Sequence, residues 1–288
     1  MNTIRQITIV GTGLIGGSFA LAARQAGFSG RLIGCDREAV LEQARKRGAV
    51  DAGFSDPAEA ARGADIVLLR TPVGAIIDLI ERIGPTAPPH ALLTDVGSTK
   101  AEIAARARAV FGQQAGGRFL PGHPMAGKEQ GGIEHADADL FRGAVWITTP
   151  LGETSATAAA FLALVAATGA RVLSIEPERH DRICAWLSHL PQMVATALAA
   201  GLAEEFGADP QALELAGPAL REMTRTAASP YAMWRDIALT NSRNLQEALL
   251  QLEQRLAHLR ENLGTRELAA EFDLANNFHK KLTTKVTK

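Results

Sequence analysis

The stretch ITIVGTGLIGGS, residues 7–18, decides the fold, because a short apolar run leads directly into a glycine-rich turn. Gly11, Gly13 and Gly16 follow the G-x-G-x-x-G spacing, and a helical pattern begins at once after the turn. In this context the first glycine makes the tight turn, the second lets the backbone approach a pyrophosphate, and the third lets the helix pack on the strand. The helix N-terminus offers N–H groups and partial positive charge to phosphates. The stretch therefore predicts a dinucleotide-binding unit, with a glycine turn that has no ligand as the alternative.

An acid after the second predicted strand indicates which dinucleotide is bound. Asp36 lies 25 positions after Gly11, near the distance at which an acid binds the ribose hydroxyls. Because an acid there repels a 2′-phosphate, we expect NAD rather than NADP, although Arg37 suits a phosphate and opposes that preference. The residues predicted to contact the cofactor are Gly11, Thr12, Gly13, Leu14, Ile15, Gly16, Asp36, Arg37, Thr71 and Pro72.

Outward from this turn, the first half of the chain alternates β-branched runs with alanine-rich helical stretches. This rhythm predicts βαβ units and a parallel sheet, with helices at residues 14–26, 38–47, 73–83, 100–110 and 155–168. From residue 177 on there is no strand-like segment, and helices are predicted at residues 177–206, 210–226, 230–262 and 265–282. We therefore expect an α/β Rossmann-type nucleotide-binding domain at 1–176 and an all-α domain at 177–288.

The predicted helix at 230–262 carries a heptad-like series of leucines. Their spacing is 4, 3, 4, 3 and 4, and they are Leu245, Leu249, Leu252, Leu256, Leu259 and Leu263. Such a seam packs against another helix, either within one bundle or across a subunit interface. The spacing leaves both alternatives open.

One histidine lies in FLPGHPMAG, residues 119–127, among residues too small to bury it. Ligands of open α/β sheets bind beyond the carboxyl ends of the strands, and His123 follows such an end. Gly122 would let a ligand come close, and Pro124 would fix the loop. We therefore expect His123 on a bare loop that faces the cofactor crevice.

A serine follows the preceding strand end, in DVGSTK, residues 95–100. Thr99 and Glu102 match a capping box for the next helix, which leaves Ser98 free to contact a ligand.

The helical half supplies further polar candidates. In SHLPQ, His189 and Gln192 are three positions apart, at a kink expected from Pro191. In REMTRTA, Glu222 and Arg225 share one helix face. A helical histidine is often a structural group, and Glu222 with Arg225 equally suits a surface ion pair.

Composition excludes several classes of protein. The 288 residues are 47% apolar with a net charge of −1, so the chain lacks the excess of positive charge expected of a protein that binds nucleic acid or an anionic membrane. We find no uninterrupted apolar run near the roughly 20 residues that span a bilayer, and no room for a signal peptide before Ile7. Cys35 and Cys184 are too far apart for a disulfide framework, and no metal site is predicted. We expect a soluble, cytoplasmic protein.

The motifs in their order resemble a known family. GxGLIGGS, D-x-G-S-x-K, G-H-P-x-A-G, S-H-L-P, T-R and M-W-R-D, over about residues 7–263, are similar to the prephenate/arogenate (cyclohexadienyl) dehydrogenases of tyrosine biosynthesis. The resemblance implies a Rossmann-type domain followed by an all-helical dimerisation domain, as in 6-phosphogluconate dehydrogenase, with the active site in the cleft between them. It also implies oxidative decarboxylation of prephenate or arogenate, with hydride transfer to NAD, by a homodimer joined through the helical domain.

The resemblance also implies roles for individual residues. His123 would be catalytic, Ser98 its hydrogen-bonding partner at the substrate hydroxyl, and Arg225 the ligand of a substrate carboxylate. His189 matches the first histidine of S-H-L-P-H, but Gln192 replaces the second, which puts substrate contacts there in question. Glu222 would accept the ammonium of arogenate or hold Arg225.

Two other readings remain open. Another hydroxyacid-type NAD(P) dehydrogenase of the same plan should have a catalytic lysine in the helical domain, and residues 177–226 contain none. A non-catalytic NAD-sensing protein would keep the glycine turn without needing His123, Ser98 and Arg225 together.

Overall fold

The computed structural model describes residues 4–128, 130–207 and 209–286. The strands are β1 (Gln6–Val10), β2 (Arg31–Cys35), β3 (Ala52–Phe54), β4 (Ile66–Leu69), β5 (Leu92–Asp95), β6 (Phe119–Leu120), β7 (Gly122–Pro124), β8 (Val145–Thr148) and β9 (Arg171–Ser174). The α-helices are α1 (Leu14–Gln25), α2 (Glu38–Lys46), α3 (Pro57–Ala60), α4 (Val73–Ile83), α5 (Ala101–Phe111), α6 (Ala115–Arg118), α7 (Ala156–Ala167), α8 (Pro177–Cys184), α9 (Leu190–Phe206), α10 (Pro210–Glu214), α11 (Pro218–Thr224), α12 (Tyr231–Thr240), α13 (Ser242–Glu261) and α14 (Glu267–Val286).

The first six strands form a parallel sheet in the order β3-β2-β1-β4-β5-β6. The reversal of strand order on either side of β1 is the doubly wound arrangement that places a ligand at the carboxyl ends of the strands. The predicted α/β Rossmann-type class is confirmed, and α1, α2, α4, α5 and α7 begin and end within one residue of the predicted bounds. The sequence did not predict β3, because its AGF run is short and has no β-branched residue.

The chain passes from the parallel sheet to a second sheet at Pro121. There, β7 pairs antiparallel with β8, and β8 pairs parallel with β9. Pro121 has no N–H group and separates β6 from β7, and a Cβ at Gly122 would crowd the carbonyl oxygen of Asp95. His123 therefore lies inside β7, opposite Ile147, and is buried. The prediction of a bare loop at His123 is wrong, because the residues around His123 form the strand β7, which contacts β5.

Aromatic packing holds the second sheet against α1 and α7. Trp146 of β8 contacts Phe19, Phe141 and Phe161, with ring centroids 5.3–6.2 Å apart, and all four rings are fully buried. Aromatic pairs at such distances add to the large apolar area that each ring removes from water. This cluster fixes β7, and with it His123, relative to the cofactor-binding half.

Two predicted long helices are interrupted. The predicted helix at 210–226 divides into α10 and α11, because Gly217 precedes Pro218 and a residue before proline is driven out of the helical region. The predicted helix at 230–262 breaks at Asn241, whose side chain donates to the carbonyl oxygen of Asp181.

Between α8 and α9 lies one π-helical segment, Ala185–His189. The helix irregularity expected at Pro191 therefore lies one turn earlier, in this π segment. Pro191 has no N–H group, so it cannot donate the hydrogen bond that a regular helix would make to the preceding turn. A π segment shifts side chains around the helix axis, and here it ends at His189.

The described chain divides into two compact units, Met1–Ser242 and Arg243–Lys288. Helices α8–α12 belong to the first unit, so the predicted boundary at 176/177 stays a prediction. In the second unit, Arg255 of α13 forms an ion pair with Glu271 of α14 at 2.8 Å. The leucine seam changes character along α13: Leu245 is buried, whereas Leu256 is 55% exposed and Leu263, beyond the helix, is 68% exposed.

By length and composition alone, the helical stretch Pro177–Phe206 could cross a membrane. Core helices of soluble proteins share that property. This stretch carries Asp181, which is buried and accepts hydrogen bonds from the start of α5. The absence of a membrane partner stays a prediction.

Candidate active site

The glycine turn is shaped by close backbone contacts. Gly11 has φ +96°, and a Cβ at Gly11 would overlap the carbonyl oxygen of Arg70. A Cβ at Gly16 would likewise overlap the carbonyl oxygen of Gly11. Gly13 precedes α1 without a side-chain cap, so the helix start keeps N–H groups available to a phosphate.

Asp36 faces this turn. Its Oδ2 accepts the Thr12 N–H at 2.9 Å and lies 3.3 Å from the Thr12 hydroxyl, while Oδ1 accepts the N–H of Arg37 at 2.8 Å. The carboxylate is thus held at the end of β2 by the turn itself. Its place matches that of an acid which binds ribose hydroxyls.

A cavity of about 720 Å³ opens beyond these strand ends. Of the predicted cofactor residues, it is lined by Gly11, Gly13, Asp36, Arg37, Thr71 and Pro72. The other four, Thr12, Leu14, Ile15 and Gly16, are outside the lining. Thr12, Leu14 and Gly16 are buried in the turn and the first turn of α1, where they support the wall.

Two features of the cavity fit a dinucleotide. The Thr71 hydroxyl is buried, and within the described residues it has no hydrogen-bond partner. Arg70, which the sequence did not single out, also lines the cavity. Burial lowers the pKa of Arg70, and Asp36 acts in the opposite direction. A partly desolvated guanidinium beside an open helix N-terminus suits a phosphate.

His123 is hydrogen-bonded to a second histidine. Its Nδ1 lies 2.8 Å from Nε2 of His180 on α8, and His180 Nδ1 lies 2.8 Å from Oδ1 of Asp181. Burial, and then the charges of His180 and Lys100, hold the pKa of His123 well below its usual 6.5. His123 is therefore a neutral imidazole at pH 7, which is the form that accepts a proton.

A buried ion pair joins β5 to β7 beside His123. The Lys100 Nζ contacts Oδ2 of Asp95 and donates to the carbonyl oxygen of Gly122 at 2.8 Å. Both side chains are fully buried. The Asp95 carboxylate also accepts the N–H groups of Gly97 and Gly122, at 2.7 and 3.2 Å. These donors favour its ionised form, although burial raises the pKa of Asp95 and lowers that of Lys100.

Ser98 lies half-buried in the turn between β5 and α5. Within the described residues, the structure gives no hydrogen bond between Ser98 and His123; the Nδ1 partner of His123 is His180. The predicted capping box at Thr99 is wrong. The Thr99 hydroxyl pairs with that of Thr240 at 2.8 Å, and Asp181 caps α5 instead.

A second cleft, of about 860 Å³, lies between the segment after β7, which contributes Gly127, Lys128 and Gln130, and the helical part of the first unit. Arg225 and Gln192, two of the predicted substrate-binding residues, both line it. The Gln192 amide, however, donates to the carbonyl oxygen of Thr226 at 2.9 Å and to the Thr196 hydroxyl at 3.2 Å. Gln192 thus ties the segment that carries Arg225 to α9. Glu222 is exposed on α11 and is not among the described residues of the lining.

His189 is buried behind this cleft. Its Nδ1 lies 3.2 Å from the Asn241 amide, and its ring meets that of Trp234, which lines the cleft, edge to face at 5.9 Å. Burial lowers the pKa of His189 to about 4, so the ring is neutral. Among the described residues, neither His189 Nε2 nor Trp234 Nε1 has a hydrogen-bond partner. Buried unpaired donors of this kind suit a polar ligand.

Sequence reasoning missed His180, Asp181, Arg70 and the buried role of Lys100. His180 and Asp181 stand in PERHDR, which has the composition of an exposed, charged first helical turn. Lys100 ends the D-x-G-S-x-K motif, yet a lysine at a helix start is usually solvated. A signal for Arg70 was present, since it directly precedes the predicted contacts Thr71 and Pro72.

Comparison with known proteins gives two family matches. The family described as prephenate dehydrogenase, nucleotide-binding domain, matches residues 19–174, and the prephenate dehydrogenase dimerization domain matches residues 176–280. A curated prephenate dehydrogenase of Bacillus subtilis is 35% identical over 84% of this chain and 66% of its own length. The chain spans 65–66% of the length of two such curated relatives, slightly less than two thirds.

Two solved structures are similar over nearly the whole chain. The prephenate dehydrogenase of Aquifex aeolicus, in complex with hydroxyphenyl propionate and NAD+, is 30% identical and has a TM-score of 0.85, with 98% of each chain covered. The arogenate dehydrogenase of Synechocystis is 32% identical with a TM-score of 0.79, covering 96% of this chain and 99% of that one. Together with the two family matches, these similarities show that the chain belongs to the prephenate dehydrogenase family.

Proposed function

We propose that this protein catalyses the oxidative decarboxylation of prephenate, arogenate or both, with NAD as hydride acceptor. The observation that carries the proposal is a buried, neutral His123 on β7, held at the end of β5, in a sheet whose neighbouring strand ends form a dinucleotide-type cavity. Family membership and the NAD+ complex of the Aquifex relative support the same reaction.

The reaction requires a base and an electron acceptor. The substrate is a cyclohexadienol with a ring carboxylate and a 4-hydroxyl group. As the C4 hydrogen leaves with its electron pair, the hydroxyl loses its proton and the ring carboxylate leaves as CO2, so that an aromatic phenolate remains, which takes a proton back to become the phenol. Bound NAD supplies the acceptor for the hydride. His123 takes the hydroxyl proton, a task that suits an imidazole free of charge at neutral pH, and Ser98 positions the hydroxyl.

The second cleft supplies groups that suit the rest of the substrate. Arg225 offers a planar pair of donors to a carboxylate, and His189 Nε2 and Trp234 Nε1 are candidate neutral donors. Gln192 holds the segment that carries Arg225 through its amide N–H groups, and its side-chain oxygen stays a candidate contact of the substrate.

Absorbance at 340 nm tests the reaction. Purified protein with NAD and either prephenate or arogenate should produce NADH with a stoichiometric loss of CO2. Turnover of a simple hydroxy acid in place of both substrates would support a different dehydrogenase of the same plan. NAD binding without turnover of any of these compounds would support an NAD-sensing protein.

NAD should be the better cofactor, because the Asp36 carboxylate faces the position of the ribose. We expect Asp36→Ser to raise kcat/KM for NADP relative to NAD by about tenfold or more, since it removes a charge that repels a 2′-phosphate. Initial rates at saturating substrate measure this ratio. Glu38→Gln removes a charge from the start of α2 outside the cavity lining and should leave the ratio unchanged. A wild-type preference for NADP contradicts the assignment of Asp36 and makes Arg37 its cause.

Glu222 is expected to influence the choice between the two ring substrates. Arogenate carries an ammonium that prephenate lacks, and Glu222 on α11 lies one helical turn from Arg225. Because Glu222 is exposed, Glu222→Gln should shift the kcat/KM ratio toward prephenate by no more than about fivefold. Glu214→Gln on α10 is the matched control. An unchanged ratio means that Glu222 has no part in the choice.

A homodimer joined through the helical domain is proposed from the match to a dimerization domain and from the second unit. Along α13 and α14, Leu256, Phe272 and Phe278 are each more than half exposed. Sedimentation should therefore give twice the 30.5 kDa chain mass at micromolar concentration. Leu256→Lys should weaken the dimer, whereas Leu173→Lys on β9 should not. A stable monomer of the wild type contradicts the proposal.

We propose a cytoplasmic enzyme with no nucleic-acid, membrane or metal partner. The near-zero net charge supports the first two exclusions. The reaction itself needs no Lewis acid, because aromatisation of the ring provides the driving force.

A further inference from the structure

We propose that Asp181 and His180 are positioning residues that hold the single proton of His123 on Nδ1 and so leave Nε2 as the base. The proposal deepens the proposed function and rests on it for the role of Nε2. The proposal rests on two hydrogen bonds that join three side chains in series, Asp181 to His180 to His123.

The far end of the chain is fixed by backbone donors. Asp181 Oδ1 accepts the N–H of Lys100 at 2.7 Å, and Oδ2 accepts the N–H of Ala101 at 2.9 Å. These groups begin α5, where N–H donors and the helix dipole favour a negative charge. Asn241 donates to the carbonyl oxygen of Asp181 at 2.8 Å, which anchors the backbone as well. Asp181 is therefore a rigid carboxylate with its remaining acceptor capacity directed at His180.

The carboxylate determines the tautomer of His180. An ionised carboxylate only accepts hydrogen bonds, so Nδ1 of His180 must carry a proton at 2.8 Å from Oδ1 of Asp181. If His180 is neutral, its Nε2 then has no proton and accepts. The partner at 2.8 Å, Nδ1 of His123, must in turn be the donor. Nε2 of His123 is left without a proton, which is the state of a general base.

The surroundings keep both imidazoles neutral. His180 is fully buried, and burial lowers its pKa, while the Asp181 carboxylate raises it and Lys100 lowers it further. The groups that face the pair are Asp95 at the end of β5, Lys100 from the β5–α5 turn, Asp181 and Cys184 from α8, and His189 from the π segment. Among these groups Lys100 carries the positive charge. Protonation of either imidazole would place a second positive charge near it and is therefore unfavourable.

Two of these side chains, His123 and His180, form with Cys184 a cluster that does not favour a metal. His123, His180 and Cys184 offer ligand atoms within 4.8 Å of one another. However, burial raises the pKa of the Cys184 thiol to about 12, which keeps it protonated, and the Lys100 ammonium repels a cation. The Cys184 Sγ lies 3.4 Å from His180 Nε2, so the thiol is at most a second weak donor to an atom already assigned as acceptor.

Nitrogen-15 NMR of the histidine rings tests the assignment on the whole protein without substrate. At pH 7.5 the wild type should show His123 and His180 both protonated on Nδ1. In His180→Phe, His123 loses its acceptor and should move toward the Nε2-protonated form. Cys184→Ala keeps the chain intact and should leave both tautomers as in the wild type. An Nε2-protonated His123 in the wild type overturns the proposal.

Kinetics of Asp181→Asn give the second readout. The amide keeps the size of the side chain but no longer demands a proton on His180 Nδ1, so kcat should fall by about 10²- to 10⁴-fold, from the smallest usual contribution of a general base to the loss caused by a wrong tautomer. KM should change little, because neither cavity lining includes Asp181. An unchanged kcat in a folded Asp181→Asn overturns the proposal, as does a loss confined to KM.

The two measurements separate this proposal from the proposed function. If neither ring substrate is turned over but His123 is protonated on Nδ1, the proposed hydrogen-bond chain is supported and the proposed reaction is contradicted. If Asp181→Asn fails to fold because α5 loses its cap, the wild-type tautomers still decide.

Discussion

Replacing His123 with asparagine is expected to lower kcat by about 10²-fold or more while NAD binding persists. Asparagine removes the imidazole nitrogen that takes the proton of the substrate hydroxyl, and its amide is not basic at neutral pH. Its amide still reaches toward His180, so the strand edge should keep its place. The lining of the cofactor cavity does not include His123, which is why NAD affinity, measured by calorimetry, should be nearly unchanged.

A matched variant separates this effect from the loss of any histidine. His90 is 56% exposed and lies 3.4 Å from Asp65, which precedes β4 at the opposite end of the strands. His90→Asn should therefore have wild-type kcat. Near-normal turnover of His123→Asn would remove His123 from the mechanism.

The pH dependence of the wild type gives an independent check on His123. Since burial depresses the pKa of His123 well below 6.5, the base form persists as the pH falls through 6.5. The acid limb of kcat/KM should thus lie below pH 6.5, and activity should decline only where the lowered pKa is approached. An acid limb at or above pH 6.5 contradicts the neutral, desolvated histidine.

The parts of the fold that sequence predicted are those set by local chemistry. The glycines at 11 and 16 are required by backbone contacts within the turn or across one neighbouring strand, and their spacing shows it. The helices of the α/β half follow from local periodicity. The breaks at Gly217 and Asn241 were missed because one proline and one long-range hydrogen bond outweigh good helical periodicity.

Of the candidate site, the sequence predicted the residues expected to touch the ligands but not the residues that hold them in place. His123 was recognised from its motif, but its partner His180 is 57 positions away and was not. Such pairings depend on how α8 packs on α5 and β7, which no pattern in PERHDR encodes. The burial of His123 was also not predicted. The small residues next to it in sequence do not bury it; β8, which carries Trp146 and pairs with β7, does.

The buried pair of Lys100 and Asp95 should carry the largest stability effect in the described chain. Lys100→Met keeps the length of the side chain but leaves the Asp95 carboxylate buried without its cation. We expect the free energy of unfolding to fall by about 3–5 kcal/mol, the usual cost of breaking a buried ion pair from one side. Urea unfolding followed by circular dichroism measures it. Lys46→Met, which removes an exposed partner of Glu42, is the matched control and should stay within error.

The double variant shows whether charge is the cause. Asp95→Asn keeps an oxygen to accept the N–H groups of Gly97 and Gly122 but removes the negative charge. If the cost of Lys100→Met is an uncompensated charge, adding Asp95→Asn should restore part of the lost stability, so that the two changes are far from additive. Strictly additive losses would mean that Lys100 acts through packing and its hydrogen bond to Gly122 instead. In that case the strand edge that holds His123 would depend on shape, and not on the ion pair.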